Sequence, residues 1–188
     1  VAATCRAAHG LVLGGKLHQA AESYQQALQM TTREDGRRLP VAGYAYVYLG
    51  GVHREWNDLE TAARYLAEGI DLCARVGYVM DQVVGHVSLA RVRWAQGDLD
   101  GGRDALLNAE RLSQRMKSYV YVRRWVEDGQ VRLWLAQGNI DAAARWAQES
   151  GLRADDELTF MRELEHIILA RVLVALGREQ PRDAQIND

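Results

Sequence analysis

A short turn motif that recurs four times at almost constant spacing constrains this chain more than any other feature. Each copy places a glycine or asparagine and then a polar residue before a leucine or isoleucine, in the order Gly14-Gly15-Lys16-Leu17, Trp56-Asn57-Asp58-Leu59, Gln96-Gly97-Asp98-Leu99 and Gln137-Gly138-Asn139-Ile140. The apolar members stand at 17, 59, 99 and 140, so they are 42, 40 and 41 residues apart. Such a period is typical of solenoids built from helical pairs, and it predicts an all-α stack of helix-turn-helix repeats.

The residues around each motif predict how the two helices of a repeat meet. Glycine or asparagine supplies the left-handed residue that ends the first helix, and Asp58 or Asp98 can cap the second helix. Three positions after the apolar residue the side chain is always small, as Ala20, Ala62, Gly102 and Ala143. Seven positions after it, on the same helix face, stand Tyr24, Leu66, Leu106 and Ala147. These small residues predict close approach of the paired helices.

Helical periodicity continues throughout the chain, and only two prolines interrupt it. We predict helix pairs over 2–13 with 17–32, 41–55 with 59–76, 80–96 with 99–116 and 120–137 with 140–149. A further helix is predicted over 157–176; it ends at Gly177, and Asp155, Asp156 and Glu157 are expected to cap its N-terminus. The prediction is a right-handed α-α superhelix of about 4.5 repeats.

We expect the 188 residues to form one solenoid domain, 1–188. Its repeats are placed near 1–36, 37–78, 79–118, 119–153 and 154–188, the last of them incomplete. The chain begins at Val1 without a methionine, and too few residues follow Gly177 for a partner helix. We therefore expect a fragment of a larger protein, with an uncovered C-terminal edge at which self-association is plausible.

Composition argues against several classes of function. The net charge of −2 gives no concentrated basic surface, so direct contact with nucleic acid is not expected. No apolar run approaches the ~20 residues that cross a bilayer, and no secretion signal is present. Cys5 and Cys73 have no CxxC partner, which favours buried thiols in a reducing compartment, and we expect a cytoplasmic protein.

Motifs for chemistry are also missing from the sequence. The histidines form no HExxH pair, so a zinc site has little support. No GxSxG or GxxxxGK[ST] motif occurs, which argues against a nucleophilic serine and against a phosphate-binding loop. We therefore expect no enzymatic activity, no cofactor and no metal in this fragment.

The order of small and apolar positions resembles the tetratricopeptide repeat, including Leu49-Gly50 seven residues ahead of Asn57. The last third of the chain resembles, more specifically, the MalT-like repeat domain of large ATP-dependent LuxR-type transcriptional activators of bacteria. The matching residues are Gly138-Asn139-Ile140, Ala143-Ala144-Arg145-Trp146-Ala147, Gly151-Leu152, Arg162-Glu163-Leu164-Glu165 and Leu169-Ala170-Arg171-Val172-Leu173.

This resemblance implies a sensor that binds an inducer small molecule or a regulatory protein or peptide in its concave groove, and that couples binding to self-association and activation. It also implies a nucleotide-binding module and a DNA-reading helix-turn-helix elsewhere in the parent protein. A repeat scaffold that holds a partner's peptide or helix without any transcriptional role is the alternative, and an enzyme is a distant third.

Candidate binding residues follow from alignment of the repeats on their turns. Six residues before each turn glycine or asparagine stand His9, Gly51, Arg91, Arg132 and Arg171. Because the first helix of each repeat lines the concave surface, the three arginines would form a ladder suited to carboxylate or phosphate. The competing interpretation is structural, since Asp128 precedes Arg132 by four residues, the spacing of an ordinary helix ion pair.

Aromatic residues on the first helices are the second candidates. Tyr44 and Trp125 are expected to face the groove, where they could stack on a sugar or a peptide side chain. Trp94 and Trp134 stand at the ends of their helices and are expected to pack against the next hairpin. A stripe of this kind is more often core than binding site. The candidate site is therefore Tyr44, Arg91, Trp125, Asp128, Arg132 and Arg171.

Overall fold

The computed structural model describes residues 2–116, 120–159 and 162–179 of the chain. Nine α-helices lie in these ranges: α1 (Ala2–Leu13), α2 (Leu17–Met30), α3 (Gly43–Glu55), α4 (Leu59–Arg75), α5 (Val79–Ala95), α6 (Leu99–Ser113), α7 (Val120–Ala136), α8 (Ile140–Glu149) and α9 (Glu163–Glu179). Within the described part of the chain, strand-like pairing is limited to an isolated bridge between Thr32 and Arg38. The all-α class is confirmed.

The chain divides into two compact units, Val1–Val126 and Glu127–Asp188. In the first unit, which we call the N-terminal unit, α1 packs on α2, α3 on α4 and α5 on α6. Successive pairs are joined because α2 contacts α3, α4 contacts α5, and α3 lies against both α1 and α5. In the second unit, the C-terminal unit, α8 packs on α9. These contacts are those of tandem helical hairpins.

The turns have the backbone conformation that the motif predicts. Asn57, at φ 60°, is the only described non-glycine residue with positive φ, and Gly97 has φ 83°. The following side chain caps the next helix: Asp98 accepts a hydrogen bond from the Gly101 N–H at 2.9 Å, and Asp58 accepts one from the Thr61 N–H at 3.3 Å. Asn139 caps α8 in the same way. The predicted capping roles of Asp58 and Asp98 are confirmed.

Small residues bring the helices of a hairpin into backbone contact. Ala20, Ala62 and Ala143 are fully buried, and a Cβ at Gly102 would overlap the Trp94 indole. Trp94 therefore packs on the second helix of its own hairpin rather than only on the next hairpin. At Gly69 the helix comes close to the main chain of α3, because a Cβ there would lie 2.7 Å from the Val47 backbone nitrogen.

The last helix differs from its predicted position. It begins at Glu163 rather than near 157, so Asp155 and Asp156 do not cap it. Their carboxylates instead bind Arg153: Asp156 accepts from the Arg153 backbone N–H at 3.0 Å, and Asp155 accepts from its guanidinium at 3.0 Å. Short-range bonding within this loop satisfies the carboxylates before a helix starts. Gly177 lies inside α9, so it is not a turn residue like Gly97 or Gly138.

None of the helices in the described ranges has both the length and the apolar character needed to cross a membrane.

The contact at Gly69 predicts a strong difference between two glycine-to-alanine substitutions. Gly69→Ala should lower the free energy of unfolding by about 1–3 kcal/mol, because the new methyl group meets the backbone of α3. Gly10→Ala, in open space on α1, should be neutral or raise it by roughly 0.5–1 kcal/mol through helix propensity. Urea unfolding followed by circular dichroism measures both. Equal effects would contradict the role assigned to Gly69.

Candidate ligand-binding site

A cavity of about 210 Å³ lies in the N-terminal unit between the first helices of successive hairpins. We call it the concave cavity. Helices α1, α3, α5 and α7 contribute its lining residues, which are His9, Val12, Val47, Tyr48, Gly51, Val52, Arg54, Glu55, Val84, Val87, Ser88, Arg91 and Trp125. Five of these thirteen residues are valines, and Arg54, Glu55, Ser88 and Arg91 add charged and polar groups, a combination that suits a site for a small molecule.

Residues that share one position in the alignment of the repeats on their turns lie together in the concave cavity. His9, Gly51 and Arg91 each stand six residues before a turn, and all three line the concave cavity. Arg91 is partly buried there. Gly51 leaves room at its position, since a Cβ would meet no atom within 4 Å. The structure therefore brings equivalent positions of three repeats to one place, and the binding role of Arg91 stays a prediction.

The two predicted aromatic residues occupy different places. Trp125 is half-buried and lines the cavity. Tyr44 is absent from the lining but packs on a ring that does line it, with 4.4 Å between the Tyr44 and Tyr48 ring centroids. Tyr48 is thus the aromatic residue of α3 that faces the cavity. The sequence signal for it was its position one helical turn after Tyr44 and three residues before Gly51.

Tyr48 is the centre of a cluster of rings from three helices. Its ring centroid lies 5.3 Å from that of His9 in an edge-on arrangement and 6.1 Å from that of Tyr24 in a stacked one. Burial raises the pKa of Tyr48, and the neighbouring Tyr44 and Asp81 raise it further. The Tyr24 hydroxyl and the His9 Nδ1 are buried without a hydrogen-bond partner in the described structure. This cluster keeps polar atoms in a low-dielectric environment beside the cavity.

Asp81 supplies a buried carboxylate next to this cluster. It stands in the first turn of α5, is only 7% exposed, and interacts with the Tyr48 hydroxyl. Burial raises the pKa of the Asp81 carboxyl, and hydrogen bonding to its own backbone N–H and to Tyr48 opposes that rise. No ion pair involving Asp81 occurs among the described residues, and its Oδ1 accepts no hydrogen bond there.

Asp81 is not among the site residues predicted from the sequence. The available signal was its position on α5, because Asp81, Val84 and Ser88 follow the i, i+3, i+7 spacing of one helix face. Val84 and Ser88 line the concave cavity. An acidic residue at the start of a helix is usually a favourable partner of the helix dipole, so sequence alone gave no reason to expect it to be buried among tyrosines.

Arg132 and Asp128 form an ion pair inside α7, in the C-terminal unit. The Arg132 Nε donates to Asp128 Oδ2 at 2.8 Å, and Asp128 is fully buried. This is the i, i+4 pair that the structural interpretation anticipated. Arg171 is exposed on α9, and the Gly177 that set its register is not in a turn. The structural interpretation therefore applies to Arg132, whereas neither residue is placed at the concave cavity.

The remaining polar and aromatic candidates have structural surroundings. Trp134 packs on the core of the C-terminal unit, formed by Val131, Ala143, Ile168 and Val172. Cys5 and Cys73 are buried free thiols; burial raises the pKa of Cys73 to about 12. No group of three or more His, Cys, Asp or Glu side chains that could hold a metal ion occurs in the described ranges.

The fold is that of a helical-repeat domain, and the concave cavity lies in its N-terminal unit. The family model of the MalT-like TPR region matches residues 1–186, and the chain belongs to this family. It is 24% identical over 182 residues to the HTH-type transcriptional regulator MalT of Serratia proteamaculans (strain 568). That match covers 95% of this chain but 20% of the regulator, so the chain spans about one fifth of the relative's length.

The helical-repeat fold is also found in a solved structure. The crystal structure of BtubC (BKLC) from P. vanneervenii superposes with a TM-score of 0.64 over 90% of this chain and 70% of that chain, at 18% sequence identity. At this identity the match supports the helical-repeat architecture alone.

Substitution of the two C-terminal arginines separates an internal ion pair from an exposed charge. Arg132→Ala should lower the free energy of unfolding by about 2 kcal/mol, because it removes the guanidinium from a buried carboxylate. Arg171→Ala should change it by less than about 0.5 kcal/mol, as expected for an exposed side chain. Thermal and urea unfolding of the whole chain measure both variants. An equal loss of stability in the two would contradict this assignment.

Asp81 should make stability depend on pH in a defined direction. The pKa of Asp81 is higher in the folded than in the unfolded chain. Its contribution to the free energy of unfolding is therefore fully present below about pH 4 and is lost as the pH rises through the folded pKa. Asp81→Asn should therefore be more stable than the wild type at pH 7, and the difference should shrink toward pH 4.

Unfolding midpoints measured from pH 4 to pH 8 test this expectation. Asp71→Asn, at an exposed position on α4, is the control for removal of one carboxylate. A stability advantage of Asp81→Asn that stays constant with pH would count against a raised pKa.

Proposed function

We propose that this chain is the sensor region of a bacterial transcriptional regulator and that its concave cavity binds the regulatory ligand, either an inducer or a side chain of a regulatory protein. Membership of the MalT-like TPR family and similarity to a HTH-type regulator support the regulatory role. The observation that carries the binding role is a cavity whose walls come from four helices, α1, α3, α5 and α7.

The arrangement of the cavity suggests how binding would be transmitted. Each wall helix belongs to a different hairpin, so a ligand that touches several walls is sensitive to the spacing of the hairpins. If the resting and activated proteins differ in that spacing, the ligand binds one state more tightly and shifts the population toward it. In this proposal the cavity would supply the contacts that differ between the two states.

The proposal extends to the whole protein. It includes a nucleotide-binding module and a DNA-reading helix-turn-helix outside this chain, self-association on activation, and action in the cytoplasm. It also holds that this region itself is not an enzyme, requires no cofactor and makes no direct contact with nucleic acid. The parent open reading frame tests the first part: an open reading frame that encodes neither module would contradict the regulatory role.

Gly51 offers a direct test of the cavity. An added Cβ meets nothing within 4 Å, so Gly51→Leu should place an isobutyl group in the cavity without disturbing the backbone. The expected result is a folded chain in which compounds that raise the melting temperature of the wild type in a metabolite screen no longer do so. The reason is occupation of the space that the ligand needs.

Gly10→Leu is the matched control for this substitution. Gly10 also lies on a first helix with open space around it, but it does not line the cavity. This variant should keep every thermal shift of the wild type. If Gly51→Leu responds to the same compounds as Gly10→Leu, binding occurs elsewhere and the concave cavity is not the sensor site.

A further inference from the structure

We propose that the concave cavity takes a small zwitterion, a short-chain amino acid whose ammonium group lies against Tyr48 and whose carboxylate lies at Arg91. This inference names the ligand class of the site described above and rests on the proposed binding role of that site. Three features of the cavity lead to it: a wall that attracts cations, a wall that attracts anions, and an apolar surface between them.

The ammonium end is defined by aromatic rings backed by a carboxylate. Tyr48 lines the cavity, and the rings of Tyr44 and His9 pack on it at 4.4 and 5.3 Å. Ring faces attract ammonium groups. Behind Tyr48, Asp81 is buried and has no ion-pair partner among the described residues.

A buried carboxylate without a cation is costly to the fold, and its field is poorly screened in a low-dielectric interior. Because the Tyr48 hydroxyl interacts with Asp81, the negative potential reaches the cavity through this tyrosine. The positive charge of Arg6 opposes the rise in the pKa of neighbouring Tyr44 that burial causes. Arg6 is, however, exposed on α1 and forms no ion pair with Asp81. An ammonium group in the cavity would supply the missing positive charge.

The carboxylate end is defined by residues of α5 that follow Asp81 by seven and ten positions, two to three helical turns further along. Arg91 and Ser88 line the cavity there. The wall also contains Arg54 and Glu55. A salt bridge joins these two residues, so their charges largely offset each other. A guanidinium has five N–H donors and can bind a carboxylate while it keeps an existing contact. Arg91 thus makes this end attractive to an anion.

The two ends are close enough for a short molecule. Tyr48 and Arg91 both line the same cavity, so one small molecule can contact both residues. Val47, Val84 and Val87 line the surface between the ends and suit methylene groups. The cavity has a volume of about 210 Å³, which gives room for a small molecule. A simple cation is disfavoured by Arg91, and a simple anion is disfavoured by Asp81.

Calorimetric titration of the whole chain with three sets of probes tests this inference. The zwitterions are 4-aminobutanoate and 6-aminohexanoate, and their single-charge analogues are butylamine and hexylamine, and butanoate and hexanoate. At least one zwitterion should bind with a Kd about tenfold or more below those of both its analogues, because only it satisfies both ends. Failure of both zwitterions to bind, or equal binding of an analogue, overturns the proposal.

Two substitutions should remove the two halves of this preference separately. Asp81→Asn should weaken binding of the zwitterion about tenfold without weakening that of the carboxylate analogue. Arg91→Gln should weaken binding of the zwitterion without weakening that of the amine. Asp71→Asn and Arg93→Gln are the matched controls, since Asp71 is exposed on α4 and Arg93 follows Arg91 on α5 outside the cavity lining. Circular dichroism and unfolding midpoints show that each variant is folded.

Unchanged zwitterion affinity in Asp81→Asn or in Arg91→Gln would overturn the proposal. Gly51→Leu distinguishes its failure from failure of the proposed function. If that variant loses the metabolite responses of the wild type while no zwitterion binds, the cavity is a sensor site for another class of ligand. If zwitterions bind equally well to Gly51→Leu and to the wild type, both the location and the ligand assignment fail.

Discussion

Close packing of the paired helices holds the hairpins of the N-terminal unit together, and it depends on positions where a side chain is small or absent. Gly69 on α4 meets the backbone of α3 at Val47, and Gly102 on α6 receives the indole of Trp94. With the helices this close, burial of the next residues along the same face follows, as at Leu66 and Leu106. The spacing of the first helices, and therefore the walls of the concave cavity, depends on these contacts.

Two buried aspartates show how environment decides the role of one residue type. Asp128 accepts a hydrogen bond from Arg132 on its own helix, so its charge is balanced locally and contributes to stability. Asp81 lies among tyrosines and forms no ion pair in the described structure, so burial makes its charge a cost to the fold. Buried charges that lower the stability of the fold are found at functional sites, where function requires an electric field or a contact that folding alone would not select.

Much of the fold could be predicted because its determinants are local. The four turns, the helices that flank them and the caps at Asp58 and Asp98 follow from residues a few positions apart. The start of α9 could not be predicted, because Asp155 and Asp156 bind Arg153 instead of capping a helix. Of the predicted site residues, Arg91 and Trp125 line the cavity, whereas Tyr44 lies behind Tyr48, and Arg132 is bound to Asp128.

The sequence by itself determined the repeat, its register through the fourth turn and the resemblance to the family, since turn residues and small residues impose their geometry over a few positions of chain. The alignment on those turns was sufficient to place His9, Gly51 and Arg91 at equivalent positions. Only the tertiary structure decided that Tyr48 rather than Tyr44 faces the cavity and that Asp81 is buried beside it. The physical reason is that exposure and electrostatic surroundings are set by packing between helices far apart in sequence.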